Sequence, residues 1–557
     1  MLVALPAADA FSQSAGQITP PSFAPVGPTA AGTGLDIRGE AGAEIPSGAE
    51  TLSVRVGRVV VTDGLAPMEA ETRTLAAPLE GRSVRVADLF RLARALEEAY
   101  ARRGYVLARV VLPSQRLADG GDVRLLVVDG AIGRVDTSSL PPPIRDRVES
   151  LILPLVGRGG LTLSEIERRL LLAGDTPGTA LRSTLSPGDA PGTTTLVVEA
   201  RHQPVSGFVS YDNTLSSALG RSVLGFGLDL NSVLRLGEQV YLRASGYPGS
   251  EAFDAEPRNR TLAGGIIVPI GTDGLTANLE ATQSKATPRP VAGAVNFTST
   301  FERLSLRLRY PLLRGRTATL SVEGAFDIQS ELLESTTPFS ARLALDELRI
   351  ARLAMEGFAV LPGGGILAGR VTGSQGIAGL GARSCNADLP LSRIGARPDL
   401  TKLEAALRFD QPLLENLAVQ ISARAQMSFG AALPRSEQIG LVTTTGLSAF
   451  DAGAVQGDSG YVIRGELQAP LSTDAAGVAL GMAPYIFGAF GAINLEQPSA
   501  VERRSTRATA YGIGLRLAAA PTASFSGVTL SVEYGRADRS DLRRTEDRVT
   551  VVTLLRF

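Results

Sequence analysis

The segment from Glu302 to Tyr310, ERLSLRLRY, decides the fold because apolar and polar side chains alternate along it. Leu304, Leu306 and Leu308 fall on one face of an extended strand, and the intervening arginines and serine fall on the other. This period of two predicts a β-strand with one apolar face and one polar face.

The same alternation continues to both sides of this segment, from residue 203 to residue 557. About sixteen segments of about ten residues show it, and helical periodicity is absent. A soluble β-sandwich also alternates, but this number and length of segments favour a transmembrane β-barrel. The sequence therefore predicts a membrane all-β fold, a sixteen-stranded antiparallel barrel.

The connections between these segments alternate in length, as expected of a barrel with short turns on one side and long loops on the other. The longest connections lie near 373–399 and 428–459. Short connections follow the even-numbered segments at Pro269, Pro311, Pro362, Pro412 and Pro470. An even number of strands returns the C-terminus to the side on which the barrel begins.

One uncharged stretch, residues 475–493, is long enough to cross a bilayer as a helix. Four glycines and Pro484 fit a helix poorly, so we expect a lipid-facing strand with its preceding turn.

Four shorter regions precede the barrel. Residues 1–10 resemble the end of a signal peptide, with a small-x-small site at Ala8 to Ala10, or are simply an apolar terminus. Residues 11–50 are rich in Pro, Gly and Ala and are predicted to be flexible. Residues 51–134 and 135–202 each combine helical and strand patterns, and in the second a capping box starts a helix at Thr162.

Composition argues against enzymatic chemistry. The chain has 55 Lys+Arg and 56 Asp+Glu, so no basic surface for nucleic acid is expected. It contains one Cys and one His, Cys385 and His202, too few for a Cys/His metal site or a disulfide within the chain. The sequence predicts no catalytic residue, no metal and no cofactor.

On the register set by the apolar faces, charged side chains point into the barrel. They either pair with one another as a wet lining or form a wall along which a polar, extended chain slides. A lipid-facing position is excluded, since a charge at the bilayer midplane costs about 2–4 kcal/mol. The predicted lumen-lining residues are Arg243, Arg303, Arg307, Arg309, Glu323, Lys402, Arg408, Arg424, Arg464 and Glu466.

Several stretches resemble the TpsB two-partner secretion transporters, the family of haemolysin and filamentous-haemagglutinin secretion proteins. Residues 96–130 and 161–200 are similar to the two POTRA domains of that family, each an α+β unit. Residues 207–242, with Asp212-Asn213, resemble its first barrel strands, and residues 433–438 and 457–468 resemble the segments that flank its sixth extracellular loop.

The resemblance implies an outer-membrane transporter with POTRA domains in the periplasm. Its implied partners are a large secreted β-helical protein, outer-membrane lipid, and the barrel-assembly machinery, for which Phe557 is the C-terminal signal. A barrel-assembly or insertion factor and a passive porin are the alternative functions.

The sequence departs from the family at one motif. In the family, a V-R-G-Y arginine in the sixth loop reaches an aspartate in an F-x-D-x-G strand, but here both charged residues are missing. We therefore expect this loop to be held by other contacts or to be more mobile, and a plug helix is not evident in residues 11–50. The loop positions are Leu447, Ser448, Ala449 and Phe450, and the strand positions are Phe487, Ala489 and Gly491.

Overall fold

The computed structural model describes residues 13–25, 35–37, 45–190, 192–289, 296–337, 339–386, 388–500, 502–521, 524–541 and 545–557. Two α+β units precede one closed antiparallel barrel. The predicted signal-peptide remnant, residues 1–10, lies outside the described residues. A one-turn helix, α1 (Ala15–Ile18), and a short strand, β1 (Leu35–Ile37), come first along the chain.

The first unit is a four-stranded sheet covered by two helices. Its elements are β2 (Ser53–Thr62), α2 (Glu69–Ala76), β3 (Ser83–Arg85), α3 (Val86–Arg102), β4 (Arg109–Val111) and β5 (Gly121–Val128). The sheet order is β3-β2-β5-β4. As the helical spacing predicts, Leu92, Leu96 and Tyr100 of α3 are buried in the core, and Gly104, at a φ of 94°, follows the helix end.

The second unit repeats this plan. Its elements are β6 (Ala131–Asp136), α4 (Pro142–Ile152), α5 (Leu163–Gly174), β7 (Thr179–Pro187) and β8 (Thr193–His202). The predicted capping box is present, because Thr162 Oγ1 accepts from the Glu165 N–H and Glu165 accepts from the Thr162 N–H. The sheet order is β1-β7-β8-β6, so the N-terminal region contributes one strand, β1, parallel to β7.

Two details of these units differ from the sequence prediction. Helix α2 was not predicted, since it spans only eight residues and few of its side chains are buried. The predicted boundary at residue 134 divides β6, whose parallel pairing with β8 places residues 131–136 in the second sheet.

The barrel is formed by the following strands: β9 (Val205–Asp212), β10 (Val223–Asn231), β11 (Gln239–Gly246), β12 (Asn259–Ile270), β13 (Leu275–Ala286), β14 (Asn296–Arg314), β15 (Ala318–Thr337), β16 (Ala341–Val360), β17 (Ile366–Gly376), β18 (Thr401–Leu414), β19 (Leu417–Met427), β22 (Ser459–Gln468), β23 (Leu471–Ala475), β24 (Val478–Asn494), β25 (Ser505–Pro521), β26 (Gly527–Arg539) and β27 (Glu546–Arg556). Two short strands, β20 (Ile439–Gly440) and β21 (Gln456–Gly457), pair with each other outside the barrel sheet. Single-turn 3-10 helices occupy Ala66–Met68, Ala77–Leu79, Leu153–Leu155, Ser217–Leu219, Ser250–Phe253 and Arg435–Glu437.

Strands β22 and β23 are two parts of one barrel strand, so the described residues form a 16-strand closed antiparallel barrel, as predicted. Both parts pair with β24 in one register, Gln468 opposite Tyr485 and Leu471 opposite Met482. Pro470 separates them because proline has no N–H for the ladder. The prediction that Pro470 marks the end of a segment is therefore wrong, and the strand continues to Ala475.

The outer face of the wall is apolar along the strand centres. Leu304, Leu306 and Leu308 of β14 are 44%, 49% and 47% exposed, while the alternating residues between them are buried. The stretch 475–493 forms the predicted strand, β24, after a tight turn at Ala476-Gly477. Among the described helices, none has the length and apolar character needed to cross a membrane.

The second unit rests on the short turns of the barrel. Arg147 and Arg169 donate to the carbonyl groups of Gly271 and Thr272 in the turn between β12 and β13, at 2.6 and 2.8 Å. At the next turn, Arg314 forms a bidentate ion pair with Asp175 at the end of α5. The short turns and the second α+β unit therefore lie on the same side of the barrel.

Candidate functional site in the barrel lumen

The N-terminal segment, residues 13–25, lies inside the barrel. The Ala15 N–H donates to Ser299 Oγ at 3.0 Å and the Gly16 N–H donates to the Glu331 carboxylate at 2.9 Å. Ala15 also packs against Phe301 of the wall. The prediction of a flexible segment without a helix is thus wrong for residues 13–25. Their position depends on partners about 300 residues away, as the separations of 284 and 315 residues show.

Two of the predicted lumen arginines hold the backbone of the N-terminal segment. Arg303 donates to the Pro20 carbonyl and Arg307 donates to the Pro21 carbonyl, each at 2.8 Å. Both guanidinium groups lie 3.4 Å from Glu280, whose side chain is fully buried.

Gly16 is tightly enclosed in this contact. A Cβ atom at this position would lie 2.7 Å from a Glu331 oxygen and 2.8 Å from Ser436 Cβ. Only glycine therefore fits between β15 and the long loop that contains Ser436.

That loop, residues 428–458, is called the inward loop here because it folds into the lumen. Leu447, Ala449 and Phe450 are buried and pack in one apolar cluster with Phe487 and Ala489 of β24. The loop positions and strand positions singled out in the sequence are thus brought together, but by apolar contact. This is the first of the two expected outcomes, a loop held by other contacts.

A buried ion pair lies beneath the remaining loop position, Ser448. Arg464 of β22 donates to Ser448 Oγ at 2.7 Å and forms an ion pair with Glu533 of β26, to which Ser448 also hydrogen bonds. The guanidinium carbon lies 3.8 Å from the centroid of the Phe487 ring, and Glu466 accepts from the same guanidinium at 2.7 Å. Since Arg464 is fully buried, its removal would leave Glu533 without its ion-pair partner, whereas Glu466 would keep Arg516.

Glu437, near the start of the inward loop, is 3% exposed and ties this part of the loop to the barrel wall. Its carboxylate accepts from Arg352 at 2.8 Å and lies 3.0 Å from Lys402 Nζ. Burial alone would raise the pKa of this carboxyl, but the two cations outweigh it and the pKa lies below its usual range.

Asp458 fixes the end of the inward loop. Its carboxylate accepts from Arg393 at 2.7 Å, from the Leu433 N–H at 3.0 Å and from the Glu496 N–H at 2.7 Å. Arg393 and Glu496 belong to two other connections, after β17 and β24. One buried side chain therefore joins three of the long loops, which rigidifies this end of the barrel.

The predicted lumen residues share the inward face of their strands. Arg303 and Arg307 contact the N-terminal segment, whereas Lys402 and Arg464 contact the inward loop. The remaining ones pair along the wall, as Arg243–Asp229, Arg309–Glu356, Arg370–Glu323, Arg408–Asp410, Arg424–Glu404 and Arg516–Glu466.

Sequence reasoning missed the partners of these residues. Arg352, Glu280, Glu331 and Glu533 occupy inward positions of their strands, so the same alternation would have found them. Glu437 lies in a loop, where no period identifies the face of a residue.

No group of three or more potential metal-ligating side chains occurs within the described part of the chain. His202 lies at the end of β8, in the second α+β unit. Burial lowers the pKa of its imidazole below the usual value, so this side chain is neutral near pH 7.

Comparison with known families gives two matches. The profile described as "Haemolysin secretion/activation protein ShlB/FhaC/HecB" matches residues 192–517, which is more than half of the chain. A second profile, "POTRA domain, ShlB-type", matches residues 55–130.

Individual relatives agree with these profiles. The outer membrane transporter CdiB of Escherichia coli is 27% identical over 229 residues, 41% of this chain and 38% of that protein. The heme/hemopexin transporter protein HuxB of Haemophilus influenzae is 27% identical over 164 residues, 29% of each chain. These alignments thus span less than half of either relative.

Among solved structures, CdiB from Escherichia coli superposes with a TM-score of 0.70 at 20% identity, covering 92% of both chains. CdiB from Acinetobacter baumannii gives 0.62 at 15% identity, covering 91% of this chain and 90% of that one. At these identities the likeness concerns the fold.

Proposed function

The chain belongs to the ShlB/FhaC/HecB family of haemolysin secretion/activation proteins, and from this premise we propose that it is an outer-membrane transporter for a secreted protein. The barrel crosses the outer membrane and the two α+β units lie in the periplasm. The exported partner is a large protein that folds as a β-helix outside the cell. Transport requires no catalytic step and no cofactor.

The observation that supports this proposal is the filling of the lumen by the chain's own segments. The N-terminal segment and the inward loop both lie in the lumen. Each is held by its own set of non-covalent contacts with the barrel wall. Residues that bind an extended backbone, such as Arg303 and Arg307, can bind an extended substrate in the same manner. A lumen of this kind favours a gated conduit over a passive porin.

The α+β units supply a means of capture. In the first sheet, β3 and β4 are edge strands, and in the second sheet β6 is an edge strand. An edge strand presents unpaired N–H and C=O groups to which an extended segment can add. We infer that the unfolded partner binds these edges before it enters the lumen. The ion pair between Arg314 and Asp175 keeps the second sheet next to the barrel mouth.

The last barrel strand ends on an aromatic residue that we take to be the signal for barrel assembly. Phe557 exchanges two backbone hydrogen bonds with Gly207 of the first barrel strand, at 2.9 and 3.0 Å, and its ring is half exposed. We infer that this terminal aromatic is the signal for the barrel-assembly machinery, and that outer-membrane lipid surrounds the apolar face.

The test uses the neighbouring reading frame that encodes a large, repeat-rich secreted protein. The partner is co-expressed with the full chain, with a chain lacking residues 45–202, or with Arg58→Ala, which removes an exposed ion pair of the first unit. We expect partner in the medium with the full chain and Arg58→Ala, and none with the deletion. Heat-modifiable gel mobility verifies that each barrel is folded.

The opposite result refutes the proposal. If the folded deletion variant still releases the partner, the α+β units are not its receptor. If it restores uptake of small solutes and the full chain does so equally well, the protein is a porin.

A further inference from the structure

The outer wall of the barrel carries a groove over strands β12 and β13. It encloses about 950 Å³, and its lining includes Leu242, Gly264, Ala281 and Leu304. These four residues are neighbours across four strands, with Gly264 opposite Leu242 on one side and opposite Ala281 on the other, and Ala281 opposite Leu304. Because Leu242 and Leu304 are exposed on the outward face, the two small residues between them form a depression that faces the surrounding lipid.

The groove changes from apolar to polar along the strands, in the direction away from the second α+β unit. The next outward pair beyond Gly264 and Ala281 is Leu262 opposite Gln283. Gln283 Nε2 donates to the carboxylate of Glu302 on β14 at 3.0 Å, and both side chains are exposed. An apolar depression that ends in hydrogen-bonding groups matches a molecule with an apolar chain and a polar head.

Two cations form the next outward pair, Arg260 opposite Lys285. Like charges directly opposite each other on adjacent strands are destabilising. Arg260 donates to the backbone carbonyls of Ala252 and Asp254, at 3.2 and 3.4 Å, and Lys285 forms no hydrogen bond or ion pair within the described residues. The polar end of the groove therefore presents uncompensated positive charge, which favours an anion between the two side chains.

The cation pair lies at the outer end of the barrel wall. Strand β12 begins at Asn259 and β13 ends at Ala286, so Arg260 and Lys285 each lie one residue from the end of their strand. Phe253, which is 89% exposed, lies in the connection whose carbonyls accept from Arg260. Aromatic side chains concentrate at the level of the lipid headgroups. The polar end of the groove thus lies at the headgroups of the outer leaflet.

The side chains at this end determine which headgroup fits. Phosphate oxygens accept charge-assisted hydrogen bonds from both cations, Arg260 and Lys285. Sugar hydroxyls donate to the Gln283 carbonyl oxygen and to the Glu302 carboxylate. The phosphorylated glycolipid of a bacterial outer leaflet offers both kinds of group on one molecule, together with acyl chains for the depression.

We propose that this groove binds one molecule of the phosphorylated glycolipid of the outer leaflet. A phosphate group lies between Arg260 and Lys285, and a sugar hydroxyl donates to Glu302. One acyl chain fills the depression over Gly264 and Ala281. The bound lipid neutralises the cation pair and fixes the depth of this side of the barrel in the membrane. The inference concerns the lipid around the barrel and is independent of the exported partner.

The site is tested by native mass spectrometry of the full chain in detergent. The probes are lipid A with two phosphates, the same lipid A without phosphate, and phosphatidylglycerol. We expect one saturable site for the diphosphorylated lipid A and weaker binding of the other two probes. Heat-modifiable gel mobility verifies that each variant is folded.

Four variants locate the site. Arg260→Gln and Lys285→Gln each remove one cation and are each expected to weaken binding of diphosphorylated lipid A about fivefold. Gly264→Leu fills the depression and is expected to abolish saturable binding. Arg507→Gln is the matched control, because Arg507 is an outward cation near the outer end of β25 that lies opposite Ala492 and not opposite a second cation. It is expected to leave binding unchanged.

Each of the other outcomes overturns the proposal. Equal binding of phosphatidylglycerol and diphosphorylated lipid A would overturn the assignment to a glycolipid. If Arg260→Gln and Lys285→Gln bind the probe as tightly as Arg507→Gln does, the cation pair is not the headgroup site. A species of two chains that Gly264→Leu removes would overturn the lipid in favour of a second copy of this chain in the groove.

Discussion

The N-terminal segment and the inward loop fill the same lumen but are held by different chemistry. The N-terminal segment is held through its backbone N–H and C=O groups by charged side chains of the wall, such as Arg303 and Glu331. The inward loop is held by buried apolar side chains around Phe450 and by a buried ion pair beneath it.

This difference predicts different costs of release. Water can replace the wall groups that bind a backbone, so the net loss is about 1.5–3 kcal/mol per hydrogen bond to a charged group. Release of the inward loop exposes apolar surface and uncovers a buried charge pair, which costs more. We therefore expect the N-terminal segment to leave the lumen first and the loop second.

The largest effect is expected for Arg464→Ala. It leaves the buried Glu533 without its ion-pair partner, while Glu466 keeps Arg516, and the loss weakens the packing of the inward loop by about 3–5 kcal/mol. Protease cleavage within residues 441–455 reports this, with cleavage expected to become fast while the N-terminal segment stays protected. A loop as resistant as that of the unmodified chain would show that the ion pair does not support it.

An intermediate effect is expected for Gly16→Ala. The new methyl group meets Glu331 and Ser436, and such overpacking costs about 1–3 kcal/mol. A fluorescent label near residue 20 should become mobile, whereas the loop should stay protected. Gly373→Ala, on β17 with no neighbouring atom within contact distance of the new methyl group, controls for the change of residue type. Equal label mobility in both variants would show that the close contacts of Gly16 do not hold the N-terminal segment.

The smallest effect is expected for Arg408→Ala. This arginine also faces the lumen, but its side chain is 53% exposed and pairs with Asp410 of the same strand. Exposed pairs contribute about 0–1 kcal/mol, and Arg408 contacts neither segment in the described residues. Loop cleavage and label mobility should match the unmodified chain, and a change comparable to that of Arg464→Ala would mean that lumen charge in general, and not burial, holds the loop.

The sequence alone predicted the barrel wall more fully than the two segments that fill the lumen. A period of two identifies the inward face of a strand wherever the other face is apolar, so Arg303 and Arg464 could be placed without a structure. Position on the lumen side does not reveal burial, which separates Arg464 from Arg408 and depends on what fills the bore.

The contents of the lumen could not be predicted, for a physical reason. Residues 13–25 have no pattern of their own, since the groups that order them belong to strands about 300 residues away. The inward loop likewise has no period, and only its apolar positions, Leu447 and Phe450, hinted that it is buried. Resemblance to a family indicated which positions to compare, but not that apolar packing replaces a charge pair there.

Electrical conductance across a planar bilayer tests the central claim, that the chain closes its own lumen with two separable segments. The full chain is compared with a chain lacking residues 13–25 and with that deletion combined with Phe450→Asp. The account predicts low conductance for the full chain, a rise on deletion, and a further rise in the combined variant. Equal and high conductance in all three would contradict it.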